Sequence, residues 1–186
     1  MTSNRPFDLD DPATHQHYIS LALTEARKSP AKPTNFCVGA VLVCPSLPSR
    51  FQIITGYTLE MPGNTHAEQS CFIKLSEALN CSEDELGRHL GGRESLLYTT
   101  MEPCNKRSPG NKTCVERILG LKTEDGGQAI TRVYVGVGEP EKFVGVNEGR
   151  TRLEDAGIQV VQLPGFEEEI LEVATAGHVK EDSKNV

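Results

Sequence analysis

Positive charge is scarce in this sequence: 19 Lys and Arg residues stand against 26 Asp and Glu residues, which gives a formal net charge of −7. Phosphate neutralisation supplies most of the affinity of a general nucleic-acid binder, and an acidic chain lacks the basic surface this requires. We therefore expect no nucleic-acid partner. A small phosphorylated ligand remains compatible, because it needs only a local basic patch.

Long apolar runs and dense cysteines are also absent. The longest apolar run, 36–44, is far shorter than the ~20 residues of a membrane span, and the acid-rich N-terminus lacks the apolar core of a signal peptide. We expect no membrane association and a reducing, cytoplasmic setting. The six cysteines, as free thiols or metal ligands, are scattered over positions 37, 44, 71, 81, 104 and 114.

Hydrophobic patterning predicts one α/β domain of 14–175, preceded by a polar lead of 1–13 and followed by a disordered tail of 176–186. Predicted strands alternate with predicted helices, which favours a layered architecture. A domain of this size buries enough surface to hold a catalytic pocket without disulfides. The predicted helices are 15–28, 65–79, 114–119, 148–156 and 166–174, and the predicted strands are 36–44, 51–58, 96–100, 132–138 and 158–163.

Two helices are predicted to start with the same pattern. Residues 65–68 and 113–116 both read Thr-x-x-Glu, the form of a capping box. Each places a metal-binding side chain, His66 or Cys114, at the first helical position. Cys104, which follows Glu102-Pro103 at the end of a strand, would supply a third ligand.

One imidazole and two thiolates suit Zn²⁺, and three protein ligands leave the fourth tetrahedral position open for water, as in a catalytic site. Zinc lowers the pKa of such a water from 15.7 to roughly 7. Glu68 lies next to the metal ligands, and we expect it to move protons between that water, a substrate ring nitrogen and departing ammonia. The sequence therefore predicts one Zn²⁺ per chain, held by His66, Cys104 and Cys114.

Simpler interpretations exist for single residues. A glutamate such as Glu68 or Glu116 can serve only as a helix cap, and Glu116 is expected to do so. A buried cysteine usually acts as a small hydrophobic residue, which is our expectation for the four cysteines outside the site. The combination of His66, Glu68 and Cys104 with a second cysteine opening the next helix favours a metal site. Nine residues separate the two cysteines, however, where the zinc deaminase signature has two.

At these motifs the sequence resembles the cytidine-deaminase-like superfamily, and most closely the fungal form of the pyrimidine deaminase of riboflavin biosynthesis. The motifs are NFCVGAV at 35–41, GNTHAEQ at 63–69, TTMEPC at 99–104 and CVERIL at 114–119. The resemblance implies a three-layer α/β/α fold with a central five-stranded mixed sheet, and a homodimer. It further implies that Asn35 hydrogen-bonds the substrate and that the Ala67 backbone lies against the pyrimidine.

The implied reaction is hydrolysis of the 2-amino group of 2,5-diamino-6-ribitylamino-4(3H)-pyrimidinone 5′-phosphate to the corresponding aminouracil and ammonia. The loop between the two cysteines carries Lys106, Arg107 and Lys112 and no acidic residue, and Asn111 follows a glycine there. We expect this loop to bind the substrate phosphate. One departure from the bacterial pattern is Gly-Glu-Pro-Glu at 138–141, which puts the ribityl contacts in doubt.

Two other functions fit the same residues. The chain could deaminate another base, nucleoside or nucleotide of the cytosine, cytidine or dCMP type. It could instead be a scaffold with a purely structural zinc, although such a site is expected to be closed by a fourth Cys or His. Replacing Glu68 with Gln separates catalyst from scaffold, because only a catalyst would lose turnover.

Overall fold

The structure, a computed structural model, describes residues 11–90, 94–138 and 148–178. Its strands are β1 Gly39–Val43, β2 Ile53–Tyr57, β3 Ser95–Met101, β4 Ile130–Val137 and β5 Gln159–Gln162. Its helices are α1 Pro12–Ala26, α2 Ala67–Leu79, α3 Leu86–His89, α4 Cys114–Gly120, α5 Gly149–Asp155 and α6 Glu167–Ala174, with a short 3₁₀ turn at Ser49–Phe51.

The five strands form one mixed sheet in the order β2-β1-β3-β4-β5. Strand β1 runs antiparallel to both of its neighbours, and the β3–β4 and β4–β5 pairs are parallel. A parallel pair needs a crossover connection, which α4 provides before β4 and α5 provides before β5. The predicted five-stranded mixed sheet is confirmed.

Helices cover both faces of the sheet. Successive strand residues point to opposite sides, and in β1 the residues on both sides are apolar, so each side packs against helices. On β1, Ala40 and Leu42 belong to a core shared with α2, α4 and α5, whereas Val41 and Val43 belong to a core shared with α1. Helix α6 packs on the α1 side. The result is the predicted three-layer α/β/α arrangement.

Two glycines allow the helices to approach the sheet closely. A Cβ on Gly39 would lie 1.9 Å from the carbonyl oxygen of Ala22 in α1, and one on Gly56 would lie 2.5 Å from the carbonyl oxygen of Ala67 in α2. No side chain fits at such distances, so glycine is required at both positions. Gly56 thereby holds the first turn of α2 against β2.

The predicted elements are all present, with bounds shifted by a few residues, and α3 was not predicted. Helix α1 starts three residues early because Asp11 caps it: its Oδ1 accepts from Ala13 N at 2.9 Å. The last two residues of the predicted lead are therefore helical. No helix in the described part of the chain is long and apolar enough to cross a membrane.

The predicted tail differs from expectation at its start. Gly177 lies against the backbone of residues 31–32, and His178 hydrogen-bonds Asn35. The remainder of the tail, 179–186, lies outside the described residues, as do residues 139–141 of the Gly-Glu-Pro-Glu segment.

Candidate active site

The first part of the site is the start of α2. His66 is the N-cap residue, with φ −89° and ψ 162°, and the helix begins one residue after it. The capping box predicted here is wrong. Thr65 Oγ1 instead donates to the Met61 carbonyl at 3.1 Å and accepts from Met61 N at 3.3 Å. Because Glu68 is not needed to cap the helix, its carboxylate is available to the interior.

The second part is the start of α4, where the predicted capping box is confirmed. Thr113 Oγ1 accepts from Glu116 N at 3.1 Å, and Glu116 Oε2 accepts from Thr113 N at 2.7 Å. Cys114 is the first helical residue and is fully buried. The box fixes the angle at which the helix begins, and with it the position of the thiol.

Cys104 joins the site from the sheet, three residues after the end of β3. Its carbonyl accepts from Val115 N at 3.2 Å, and its Sγ accepts from Cys114 N at 3.5 Å. The first turn of α4 thus binds both the backbone and the sulfur of Cys104, and this contact closes the nine-residue loop between the cysteines.

The three predicted ligands converge on one point. His66 Nδ1 lies 3.4 Å from Cys104 Sγ and 3.4 Å from Cys114 Sγ, and all three ligand atoms lie within 4.8 Å of one another. Tetrahedral zinc with its usual Zn–N and Zn–S bonds separates nitrogen from sulfur by about 3.6 Å. The donor set and its spacing therefore fit a zinc ion. No fourth His or Cys joins this trio among residues 11–90, 94–138 and 148–178.

The two thiols shift each other's pKa in opposite directions. The adjacent Cys114 side chain, followed by the nearby His66, lowers the pKa of Cys104 well below its usual range. The adjacent Cys104 side chain, together with burial, raises the pKa of Cys114. A bound divalent cation would favour deprotonation of both cysteines, so that both would bind as thiolates. The N-terminus of α2 adds positive potential nearby.

Glu68 lies beside the trio in the second helical position of α2. Its Oε2 accepts from Cys114 Sγ at 3.3 Å, and the residue is only 3% exposed. Burial raises the pKa of this carboxyl group. A buried carboxylate within reach of an open metal position is suited to accept and return a proton.

A cavity of about 210 Å³ opens onto this arrangement. His66, Glu68 and Cys104 form one side of it. The remaining wall is contributed by loops and strand ends: Thr34, Asn35, Phe36, Val38, Thr58, Asn64, Met101 and Glu102. Ligand pockets commonly measure about 300–1,000 Å³, so this cavity suits a single small ring.

Asn35, which the resemblance implies to be a substrate-binding residue, lies in the cavity wall. Its Nδ2 donates to the carbonyls of Pro30 at 3.2 Å and Phe36 at 3.4 Å. The buried Oδ1 has no hydrogen-bond partner within the described portion of the chain. The side chain therefore offers an unused acceptor to a ligand N–H.

The other predicted binding residues lie outside the cavity wall. Ala67 is fully buried at the start of α2. Arg107 donates to Gln69 Oε1 at 3.1 Å and, by a short hydrogen bond, to the carbonyl of Asn64, a wall residue. Lys112 Nζ pairs with Asp84 at 2.9 Å on the surface. Lys106 and Asn111 are exposed on the same loop, so the loop borders the cavity without lining it.

Sequence reasoning missed the wall residue Glu102. Its carboxylate is mostly buried, and Oε1 accepts from Arg150 Nε of α5 at 2.9 Å. The available signal was its position two residues before Cys104. Of the other wall residues, four lie within the quoted motifs (Phe36, Val38, Asn64 and Met101). Thr34 immediately precedes the first motif, and Thr58 ends the second predicted strand.

The fold and the trio of ligands are those of a zinc-binding α/β enzyme. A profile described as the cytidine and deoxycytidylate deaminase zinc-binding region matches residues 12–125, and the chain belongs to this family of deaminases.

One curated protein is similar to this chain over most of the chain's length. The chain is 36% identical to the diaminohydroxyphosphoribosylamino-pyrimidine deaminase of Schizosaccharomyces pombe over 168 residues, which are 90% of this chain and 36% of that protein. The chain thus spans about a third of that relative's length.

Solved structures of similar length also match. The Rib2 deaminase of Aspergillus oryzae, a C-terminal deletion mutant at pH 4.6, superposes with a TM-score of 0.78 at 42% identity, covering 89% of this chain and 93% of that one. The same mutant in complex with DARIPP gives a TM-score of 0.76 at 41% identity, covering 88% and 91%. Both chains are therefore similar to this one over nearly their whole length.

Proposed function

We propose that this chain hydrolyses the 2-amino group of 2,5-diamino-6-ribitylamino-4(3H)-pyrimidinone 5′-phosphate, giving 5-amino-6-ribitylaminouracil 5′-phosphate and ammonia, a step of riboflavin biosynthesis. The observation that carries the proposal is the convergence of His66, Cys104 and Cys114 beside the buried Glu68 at one side of a ring-sized cavity. Similarity to Rib2 over nearly the whole chain supports the choice of substrate.

In this proposal His66, Cys104 and Cys114 hold one Zn²⁺ per chain. The ion, when bound, would supply the Lewis acidity that makes water a nucleophile at neutral pH. Glu68 would accept one proton from the attacking water and pass it to the ring nitrogen next to the amino-bearing carbon. It would then move the proton of the new hydroxyl group to the departing amine. One water is consumed, a C–N bond is replaced by C=O, and ammonia leaves.

Recognition of the ring falls to Asn35 and Ala67. The partnerless Oδ1 of Asn35 supports a hydrogen bond to a substrate N–H group. Ala67 begins the helix between His66 and Glu68, which supports contact of its backbone with the bound ring.

The substrate phosphate binds, in this proposal, to Lys106, Arg107, Asn111 and Lys112. The hydrogen bond from Arg107 to Asn64 ties this loop to the cavity wall, which supports a role at the entrance. Lys112 would exchange its exposed partner Asp84 for phosphate.

An ammonia-release assay on purified, zinc-loaded protein tests the main proposal. The panel contains the riboflavin-pathway diaminopyrimidine phosphate, its dephosphorylated form, cytosine, cytidine and dCMP. We expect kcat/KM to be highest for the phosphorylated diaminopyrimidine. A preference for dCMP or cytidine would replace this substrate with another one for the same site. Stoichiometric zinc with no turnover of any compound would favour a scaffold.

The phosphate loop is tested by changing Lys106, Arg107 and Lys112 together to Ala. Because hydrogen bonds to charged groups are worth about 1.5–3 kcal/mol each, we expect KM for the phosphorylated substrate to rise at least about tenfold. The KM for the dephosphorylated substrate should stay constant, and Lys122→Ala, on another exposed loop, serves as the control. An unaltered KM in the triple variant would refute phosphate binding here.

The proposal also covers the cellular location, the domain bounds, the oligomeric state and the zinc stoichiometry. All six cysteines lack disulfide bonds, which supports a reducing, cytoplasmic location. The single deaminase domain of 14–175, the homodimer and the stoichiometry of one zinc per chain are likewise proposed. Light scattering of purified protein tests the dimer, and metal analysis tests the stoichiometry.

A further inference from the structure

The C-terminal segment, defined here as residues 167–178, lies against the loop of residues 30–37. This loop contributes Thr34, Asn35 and Phe36 to the cavity wall. The segment consists of α6 and the four residues after it, and nothing in the proposed chemistry uses it. Its contacts nevertheless include Asn35 and Phe36, two residues of the cavity wall.

Two backbone contacts join the segment to the loop. Cys37 N donates to the carbonyl of Ala174 at 3.0 Å. A Cβ on Gly177 would lie 2.3 Å from Lys32 N and 2.6 Å from the carbonyl carbon of Ala31, so only glycine allows this approach. Ala174 is fully buried in a core that also contains Met101, another wall residue. The segment is therefore built into the wall.

His178 contacts Asn35, the wall residue with the unused acceptor, directly. Its Nε2 lies 3.0 Å from the carbonyl oxygen of Asn35, and because a carbonyl only accepts, the imidazole donates. The ring centroid of His178 lies 4.7 Å from that of Phe36. His178 thus contacts two consecutive wall residues at once.

The Asn35 side chain is held by two hydrogen bonds within its own loop. Its amide nitrogen donates to the carbonyls of Pro30 and Phe36, which orients the partnerless Oδ1. With the backbone carbonyl held by His178, both the peptide and the side chain of Asn35 have defined positions. A hydrogen-bond acceptor placed in this way needs little reorganisation when a ligand binds.

We infer that His178 is a positioning residue for substrate binding: through Asn35 and Phe36 it holds the cavity wall in the shape that accepts the pyrimidine. The inference rests on the proposed function for the identity of the ligand. It assigns His178 to substrate affinity rather than to proton transfer, because the residues it contacts, Asn35 and Phe36, belong to the cavity wall.

The test compares His178→Ala with His178→Gln in the full-length, zinc-loaded protein. Loss of one hydrogen bond should raise KM about fivefold in the Ala variant, while kcat changes less than about twofold and zinc content stays constant. Glutamine retains an N–H donor, so His178→Gln should restore KM to within about twofold of the parent value. His89→Ala, an exposed histidine at the end of α3, is the matched control.

Hydrogen exchange provides a readout that does not depend on turnover. We expect the amides of residues 34–37 to exchange about fivefold faster in His178→Ala, with those of α2 unchanged. If the parent protein does not deaminate the diaminopyrimidine but exchange accelerates, the proposed function fails and the contact stands. An unchanged KM in His178→Ala, with or without faster exchange, would overturn the positioning role.

Discussion

The starts of α2 and α4 share the pattern Thr-x-x-Glu, a metal-binding side chain in second place, and a position at the candidate site. In α4, Thr113 and Glu116 cap the helix and Glu116 is exposed. In α2 the helix begins one residue later, Thr65 bonds Met61, and Glu68 is buried beside a cysteine. Glu116 stabilises a helix start, whereas Glu68 lies buried beside the candidate metal ligands.

The electrostatics of the two glutamates diverge in the same way. Hydrogen bonds from the backbone and side chain of Thr113 lower the pKa of Glu116, whereas burial raises the pKa of Glu68. A carboxyl group that caps a helix accepts hydrogen bonds best when it is ionised. One that carries protons must be able to exist both protonated and ionised. Glutamate in the same local pattern thus has its pKa shifted in opposite directions by its surroundings.

The largest effect is expected from removing a ligand at one helix start. Cys114→Ala should lower zinc affinity more than about 100-fold, beyond what loss of a residue supporting a ligand costs, and should abolish ammonia release. Cys81→Ala, a partly exposed thiol outside the trio, should keep both zinc and activity. Metal analysis of both purified variants checks this, and full zinc occupancy in Cys114→Ala would remove Cys114 from the site.

The next largest effect is the difference in kcat between the Gln variants of Glu68 and Glu116. Glu68→Gln cannot transfer protons, so kcat should fall about 10²- to 10⁴-fold while zinc remains bound. Glu116→Gln should leave kcat within about twofold and the free energy of unfolding within about 0.5 kcal/mol, because glutamine also completes a capping box. Ammonia release and chemical denaturation measure both, and equal losses in the two variants would contradict the assignment.

A smaller effect is expected from the glycine behind α2. Gly56→Ala would place a methyl group 2.5 Å from the Ala67 carbonyl, which pushes His66 and Glu68 away from the thiols. We expect a loss of about 1–3 kcal/mol in the free energy of unfolding, with weaker zinc binding. Gly120→Ala, at the end of α4 with open space around it, should be neutral or slightly stabilising. Similar behaviour of the two variants would show that close packing behind α2 is unimportant.

The smallest effect is the coupling within each Thr-x-x-Glu pair. In a double-mutant cycle, Thr113→Ala and Glu116→Ala should be non-additive by at least about 0.5 kcal/mol, because the two side chains cap the same helix start. Thr65→Ala and Glu68→Gln should be additive, since their side chains have different partners. The free energies of unfolding from urea titrations decide between these outcomes, and measurable coupling of Thr65 with Glu68 would restore the capping box rejected here.

The order and type of the main elements could be predicted from the sequence because they depend on local periodicity, caps and glycines. The α4 start was predicted correctly for this reason: all the atoms of its capping box lie within four residues. The α2 start was not, because its competing partner, Met61, belongs to the preceding loop. Helix α3, four residues long, is too short to show a hydrophobic period.

The sequence by itself determined which atoms are available for zinc, since His66, Glu68, Cys104 and Cys114 stand in motifs whose residue types already define a soft donor set with a carboxylate beside it. Only the tertiary structure decided that the imidazole meets thiols 38 and 48 positions away, that Glu68 is buried while Glu116 is not, and that His178 reaches Asn35. Ligand chemistry is a property of single side chains, whereas burial and convergence come from packing residues that are distant along the chain.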